Sequence, residues 1–597
     1  MAQTFGQYLV NDVLPKDMQI TGEMPKKDLY NRVYKMAYRD QKDAATRIDQ
    51  LRFLGHELAT MEGVSVGLDD IATDPKKHAI LKPLMARIKN TQDPEARRKI
   101  IMEAEKKMLK LTPDHPGSMG EMMRSGSRGK PIQLMRTVNA QVHAMDPADG
   151  KIIPWLVPRG FSEGLKPSEH WVANVEARTN LINSRVAVTE PGAISKLMIN
   201  NMNDQMILSE DCGTKNGIIM RTDDPHITDR SMARPEAGFS AGTVITPQVA
   251  TSLKKKTKNV MVRSPMTCEH NEGVCQKCFG KNEFGQFHTL GTNIGIRSAQ
   301  ALSEPVTQMQ ISARHGVRGE TKDVKRVGGM EGLKQMLDIP KSFLYKATLA
   351  DANGKVGKVE KAPQGGHNVF VGDTKHYIPP SLHPTVHTGQ SVSPGDALSN
   401  GVPKPDEIVK YKGLGEGRRY VVDRLHDIYK ENVMDVDKRH LEVLARSHLN
   451  HVRIEDDPEG RFNPGEVVNY TTLLKTLGDD IETTPISESN GKMLASGALH
   501  HAAGTTITPE MIKELKNNKI NSVSVSRHPP KISFMMRPLA RNPLLNPDWM
   551  ARLGHRYLKE SILEGVHRAQ DSDIHGTHPT PGYVYGREFG RGTGGKY

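Results

Sequence analysis

Arg263-Ser-Pro-Met-Thr-Cys268, Gly273-Val-Cys-Gln-Lys-Cys-Phe-Gly280 and Gly291-Thr-Asn-Ile-Gly-Ile-Arg-Ser-Ala-Gln-Ala-Leu-Ser-Glu-Pro-Val-Thr-Gln-Met309 follow one another in a chain of 597 residues. The first two hold three of its four cysteines, spaced Cys-x6-Cys-x2-Cys. The fourth, Cys212, lies in Glu210-Asp-Cys-Gly-Thr214. Zn2+ takes four tetrahedral sulfur or nitrogen ligands. Cys275-Gln-Lys-Cys278 is a knuckle that can place two thiolates on one ion, and Cys268 and Cys212 complete a candidate four-cysteine set. Four sulfur ligands leave no open position, so the expected role is structural, tying distant segments together. Two other readings stand beside it: buried cysteines without an ion, and His270 in place of one thiolate.

Composition bounds the rest. Lys and Arg number 82 against 69 Asp and Glu, a net charge of +13, which points to a polyanionic partner, most often nucleic acid. Length suggests roughly four domains, and 36% hydrophobic residues suffice for packed cores. No apolar run reaches the ~18 residues of a membrane span. The start, Met1-Ala-Gln-Thr-Phe-Gly6, lacks the basic and apolar regions of a signal peptide. So few cysteines make no disulfide framework; a reducing, cytoplasmic setting with thiols free for metal fits best.

Periodicity predicts an α+β multidomain chain. A short strand is expected over Gln7–Pro15, then a long helix from about Lys27 to Glu62. Residues 76–112 predict a charged helical hairpin with its turn at Asn90-Thr-Gln-Asp-Pro94, read without context as a solvated arm. Residues 113–160 are rich in Gly, Met and Arg. A helix is expected from Glu163 to Asn203, with Pro167 in its first turn and a kink at Pro191. Residues 204–290 hold the cysteines. Turn-rich alternation over 341–412, in Phe343–Leu349, His367–Val371 and Gly389–Asp396, predicts a small β domain. Helix returns over 416–452. Gly242-Thr-Val-Ile-Thr-Pro-Gln-Val-Ala-Thr-Ser-Leu-Lys254 is echoed by Gly504-Thr-Thr-Ile-Thr-Pro-Glu-Met-Ile-Lys-Glu-Leu-Lys516, each followed by a Val-x-Val strand. The echo predicts one helix–strand unit used twice, with Thr as N-cap and Pro at the first helical position. An amphipathic helix is expected over Pro547–Leu563, and the tail, Thr577–Gly586 and Gly590–Tyr597, reads as a partner-bound strap or a disordered end.

The quoted stretches resemble the carboxy-terminal half of the β′ subunit of bacterial-type multisubunit RNA polymerase. That family runs Arg-Ser, a short gap, Cys, then Gly-Val-Cys-x-x-Cys-Tyr-Gly, and continues Gly-Ile-x-Ala-Ala-Gln-Ser-Ile-Gly-Glu-Pro-Gly-Thr-Gln-Leu. Further resemblances lie in order at Ser65-Val-Gly-Leu-Asp-Asp70, Ser125-Gly-Ser-Arg-Gly129, Phe161-Ser-Glu-Gly-Leu165, Tyr411-Lys-Gly-Leu-Gly415, Arg419-Tyr-Val-Val422 and Asp437-Lys-Arg-His-Leu-Glu-Val443. They cover about residues 7–455; 456–597 is divergent. The resemblance implies a secondary-channel region over 1–75 and a rim-helix-like hairpin over 76–112. It implies a region near the active site over 113–160, a bridge helix over 161–203 and a zinc region over 204–290. The trigger loop with its flanking helices would occupy 291–340, the small β domain 341–412 and clamp-region helices 413–455.

Arg178, Thr179, Asn183 and Ser184 are then the bridge-helix residues beside nucleic acid, with Asn180 replacing the usual glycine. Gln308, Arg314 and His315 are the catalytic candidates of the trigger loop. The family's trigger-loop Met, Arg and Phe correspond to Ile311, Ser312 and Arg314, so Arg314 or Arg318 is expected to supply the charge missing at Ser312. A lone histidine such as His315 is otherwise a satisfied surface residue. The family's magnesium motif, Asn-Ala-Asp-Phe-Asp-Gly-Asp, is absent; the clusters at Glu455-Asp-Asp457 and Asp479-Asp480 lack its spacing. The expectation is a split β′, with structural Zn2+ here and catalytic Mg2+ on a β′ N-terminal-half chain. The resemblance further implies β-like chains, a promoter-specificity factor, DNA template, RNA transcript and nucleoside triphosphates as partners. The short trigger-loop region and divergent bridge helix point to a large bacteriophage, with action in the infected cell's cytoplasm or packaging in the virion. The competing class is a non-enzymatic, zinc-containing nucleic-acid-binding or virion structural protein derived from a polymerase piece.

Overall fold

Capping residues mark where helices begin in the computed structural model. It describes residues 4–22, 26–63, 65–146, 151–185, 188–270, 273–312, 328–432, 434–478, 480–546, 549–553, 555 and 558–569. The chain divides into two compact units, residues 1–186 with 283–285, and residues 187–282 with 286–597.

In the first unit Thr4 forms a capping box with Gln7 and opens α1 (Phe5–Val13) where a strand was expected. Two reciprocal cap bonds outweigh the local β propensity of Tyr8, Val10 and Val13, and Pro15 stops the helix. The long helix expected after Lys27 is two, α2 (Lys26–Arg39) and α3 (Gln41–Glu62), because Asp40 turns its carboxylate onto the amides of Lys42 and Asp43. α4 (Lys76–Asn90) and α5 (Pro94–Leu111) form the hairpin, with Asp93 as N-cap and Pro94 at the first position. It is no solvated arm: Leu81, Leu84, Ile101, Ala104 and Met108 are buried with Met135, Val142 and Leu156. α6 (Gly117–Arg124) and α7 (Pro131–Leu134) follow. Asp70, the last residue of the Ser65–Asp70 motif, accepts the amides of Gly67 and Ser118 at 2.8 Å each. Gly117 makes that approach possible: its φ is 77°, and a Cβ there would lie 2.1 Å from Asp70 Oδ1.

The helix expected over Glu163–Asn203 is two helices. α8 (Pro167–Arg185) belongs to the first unit and α9 (Thr189–Met202) opens the second. Pro191 produces no mid-helix kink, because it sits in the first turn of α9, where the missing N–H has no helical partner to lose.

The second unit runs β1 (Ile218–Arg221), α10 (Pro247–Lys256), β2 (Asn259–Val262), α11 (Gln276–Phe279), α12 (Ile294–Ser312) and α13 (Gly329–Asp338). The small β domain follows: β3 (Gly354–Lys361), β4 (His367–Val371), β5 (Thr374–Ile378) and β6 (Ser391–Val392), antiparallel in the order β5-β4-β3-β6. Phe343–Leu349 contributes only isolated bridges, Lys346 to Val402 and Leu349 to Ala397. α14 (Pro405–Glu431) bends at Gly413 (φ 83°), and α15 (Lys438–His448) packs beside it. Next come β7 (His451–Asp456), β8 (Val467–Asn469), α16 (Tyr470–Leu477), β9 (Ile481–Pro485), α17 (Pro509–Asn517), β10 (Ser522–Ser526) and β11 (Lys531–Met535). β11 returns to pair with β7, so residues 470–530, between β8 and β11, form an excursion from one three-stranded sheet, β11-β7-β8. The helix expected over 547–563 is instead α18 (Trp549–Arg552) and α19 (Leu558–His567). The tail beyond residue 569 lies outside the described residues. The core gathers α9, α12, α13, α14, α15 and the β7 sheet, with Met202, Leu302, Leu333, Leu425, Leu441, Leu444 and Val452 fully buried.

The sequence echo is a structural repeat larger than the echo itself. Thr246 and Thr508 cap α10 and α17 by accepting the amides of Val249 and Met511. β2 pairs antiparallel with β1, and β10 with β9. Met232 donates to Thr243 O and accepts from Gly242, as Leu494 does with Thr505 and Gly504. Even the left-handed residues correspond, Ala237 (φ 54°) with Leu499 (φ 55°). The copies pack together, Ala233 and Met261 of the first lying in one cluster with Leu494, Leu499, Ile507 and Val525 of the second.

Candidate metal centre and the helices around it

Cys212 reaches the knuckle because its own strand-like segment pairs there. Val274 donates to Met206 O at 2.8 Å and Leu208 donates to Val274 O at 3.1 Å. Gly273 must be glycine at this crossing: its φ is 76°, and a Cβ would lie 2.5 Å from Met206 O. Cys275 is the N-cap of α11 and its sulfur accepts the Cys278 amide at 3.3 Å; Cys268 Sγ accepts the Cys275 amide at 3.4 Å. Amide donors to sulfur favour the thiolate.

All four sulfurs lie within 4.8 Å of one another, with Cys212 Sγ 3.6 Å from Cys278 Sγ. Zn–S bonds of about 2.3 Å put tetrahedral sulfurs about 3.8 Å apart, so the donor set fits one ion. None is in a disulfide, three are buried and Cys212 is half-buried. Hydrogen bonds from Cys268, Cys275 and Cys278 hold the Cys212 thiol far below its ordinary range, and the same network, with burial, pushes Cys268 and Cys278 up. A divalent cation bound here would displace the thiol protons and neutralise the thiolates. Asp211, beside Cys212, joins Arg263 at 2.5 Å and Lys277 at 2.8 Å. His270 is not a ligand here: its Nε2 lies 2.6 Å from Ser209 Oγ, and it stands outside the cluster.

The Asp437–Val443 motif docks this region onto the core. Asp437 caps α15, and Lys438 Nζ lies 3.0 Å from Asp224 Oδ2. Arg439 donates to Lys281 O at 2.6 Å, and His440 Nδ1 lies 2.9 Å from Ser298 Oγ on α12. Glu442 meets Arg230 in a bidentate pair at 2.5 and 2.8 Å, both side chains essentially inaccessible, and accepts Ser264 Oγ at 2.7 Å. One turn on, Arg446 donates to the carbonyls of Pro265 and Cys268 at 2.7 and 3.1 Å. Arg230, Glu442 and Arg446 were not singled out in the sequence. The available signal was Glu442 and Arg446 one turn apart, flanked by Leu441, Val443, Leu444 and Ala445.

Of the site residues expected from the sequence, the structure brings the four cysteines together. Gln308 is exposed near the C-terminal end of α12, in the second unit. Arg314, His315 and Arg318 lie outside the described residues. Ile311 and Ser312 close α12, with side chains outside the description. Arg178 is exposed on α8, and Thr179 Oγ1 donates back to Val175 O at 2.9 Å. Asn183 and Ser184 are helical residues of α8 whose side chains are likewise outside the description. Arg136 and Glu176 form a half-hidden pair at 2.5 Å on the buried side of α8. Among the described residues, no helix is long and apolar enough to cross a membrane.

Residues 164–459 match the family model described as RNA polymerase Rpb1, domain 5. The chain is similar to the DNA-directed RNA polymerase subunit beta' of Symbiobacterium thermophilum, 27% identical over 510 residues, covering 78% of this chain and 43% of the relative. It is similarly 27% identical over 515 residues to that of Syntrophomonas wolfei, again 78% and 43%. With that of Acidothermus cellulolyticus it shares 26% identity over 545 residues, 83% and 40%. The chain thus spans about two fifths of the length of these relatives. The similarities support a β′-like RNA polymerase subunit.

Proposed function

We propose that these residues act as the carboxy-terminal part of β′ in a multisubunit, DNA-dependent RNA polymerase. The observation that carries the reading is the match over 164–459, which spans α8, the four-cysteine cluster, α12 and the α14–α15 helices in one continuous order. In this reading α8 is the bridge helix, with Arg178, Thr179, Asn183 and Ser184 beside nucleic acid. The segment from Glu304 to Gly329 is the trigger loop. Zn2+ on Cys212, Cys268, Cys275 and Cys278 is structural, fixing the root of α12 against α15. Magnesium, bound outside these 597 residues, supplies the charge that stabilises attacking and leaving oxygens in nucleotidyl transfer.

The chain's own part is to close the site. Folding of the trigger loop excludes water and positions the nucleotide. Gln308 approaches the ribose, Arg314 or Arg318 the phosphates, and His315 orients or protonates the departing pyrophosphate. The basic surface holds template, transcript and downstream duplex by phosphate contacts of low sequence specificity. Partners are the remainder of β′, β-like chains and a promoter-specificity factor. The short trigger-loop region and the divergent bridge helix are the grounds for reading the origin as a large bacteriophage.

The test is reconstitution with the chain or segment that carries the three-aspartate motif. Magnesium-dependent RNA synthesis is expected, slowed at least about tenfold by His315→Ala and Gln308→Ala, in the range of general acid and positioning effects. Equal elongation by wild type, His315→Ala and a deletion of 311–319 would remove the trigger-loop assignment. Absence of any RNA synthesis in a complex containing the aspartate motif would favour the non-enzymatic class.

A further inference from the structure

The second copy of the repeat carries a constellation that the first lacks. His500 and His501 sit in its connecting loop, each about nine-tenths or more buried, with rings tilted by 37° and centroids 4.1 Å apart. Glu416 comes from α14, three residues past the bend at Gly413, and its Oε1 lies 2.6 Å from His500 Nε2. Glu514 comes from α17, with Oε2 2.9 Å from His501 Nε2 and Oε1 3.8 Å from His500 Nδ1. One donor atom each from Glu416, His500 and His501 lies within 4.8 Å of the other two. In the first copy the matching positions are Gly238, Phe239 and Ser252, so the shared scaffold does not require these groups.

We propose that Glu416, His500 and His501 form a second metal site, for a divalent transition-metal ion of the zinc class, with Glu514 as the carboxylate that orients the imidazoles. Bonds of roughly 2.0–2.2 Å place tetrahedral donors about 3.4 Å apart, within the observed spread. Two imidazoles and one carboxylate suit zinc and its neighbours and disfavour magnesium and calcium, which take oxygen shells. A carboxylate on the far nitrogen of a ligating histidine fixes tautomer and ring orientation, the place Glu514 holds on His501. The glycines of Tyr411-Lys-Gly-Leu-Gly415 bring α14 close enough: a Cβ on Gly415 would lie 2.2 Å from His500 O. An ion here joins α14, the 500–501 loop and α17, and so fastens the second copy to the helical core.

Metal content of the purified full chain, saturated with Zn2+ and freed of loose ion, decides the matter. Two equivalents are expected in the wild type and one in the His500→Asn/His501→Asn variant. With Co2+ as probe, the sulfur-to-cobalt absorption of the four-cysteine site should persist unchanged in that variant, while weaker bands without sulfur character disappear. A single equivalent in the wild type overturns the proposal, whether or not the variant folds. So does a second equivalent that survives in the variant. The outcome is separate from the polymerase reading, which neither result alters.

Discussion

Arg230 and Glu442 show what a single pair does in this chain. Both are buried and bidentate, and Glu442 holds Ser264 as well. Replacing one partner leaves a charge without its counter-ion, so Arg230→Met is expected to cost about 3–5 kcal/mol, and Arg230→Met with Glu442→Leu much less. Denaturant titration of the two variants measures the difference. Histidine burial has a pH signature. Burial drives His448 down to about 3 and His451 down to about 4 from an ordinary 6.5. Both stay neutral in the folded chain, and among the described residues neither ring nitrogen of His448 has a hydrogen-bond partner. Below pH 6.5 the unfolded chain takes up protons that the folded chain refuses, so stability falls as pH falls. The loss is about 1.4 kcal/mol per pH unit for each histidine, ending at the folded values. Thermal melts between pH 7 and 5 should therefore show a steeper decline in wild type than in His448→Met.

At the scale of elements, capping and glycine placement decide most boundaries. Thr508→Ala and Thr246→Ala remove equivalent N-caps from α17 and α10, and each is expected to cost about 1 kcal/mol. Faster amide exchange at Met511 in one variant and at Val249 in the other, with no cross-effect, is the expected readout. Loss of protection at both sites from either substitution would mean that the copies open together. The Asp93-Pro94 hairpin and the paired Thr-Pro helices were legible because cap and helix lie within a few residues of each other. The strand expected at 7–15 failed because the capping box that opens the helix starts at Thr4, before that window. Pro191 misled for a related reason: proline reads as a kink unless a helix begins just before it, and nothing local announces that Thr189 does so.

For the whole molecule, the cysteines link segments distant in sequence, and α15 receives them. Chelation of metal from the four-cysteine site should loosen that link. Amide protection at Leu208, Val274 and Cys278 is expected to fall by at least about tenfold, since the binding energy of a structural zinc is folding energy. The small β sheet, whose Val356, Val369, Val371 and Ile378 form their own core, should keep its protection. The sequence by itself determined the set of four cysteines, the hairpin, the repeated Thr-Pro helix–strand unit and the likeness to β′, because each rests on residue types at short, fixed spacing. Only the tertiary structure decided that Glu442 and Arg446 bind the cysteine region, that 470–530 is an excursion between two strands of one sheet, and that Glu416 meets His500 and His501. Those depend on contacts between residues tens to hundreds of positions apart, and no local spacing encodes them.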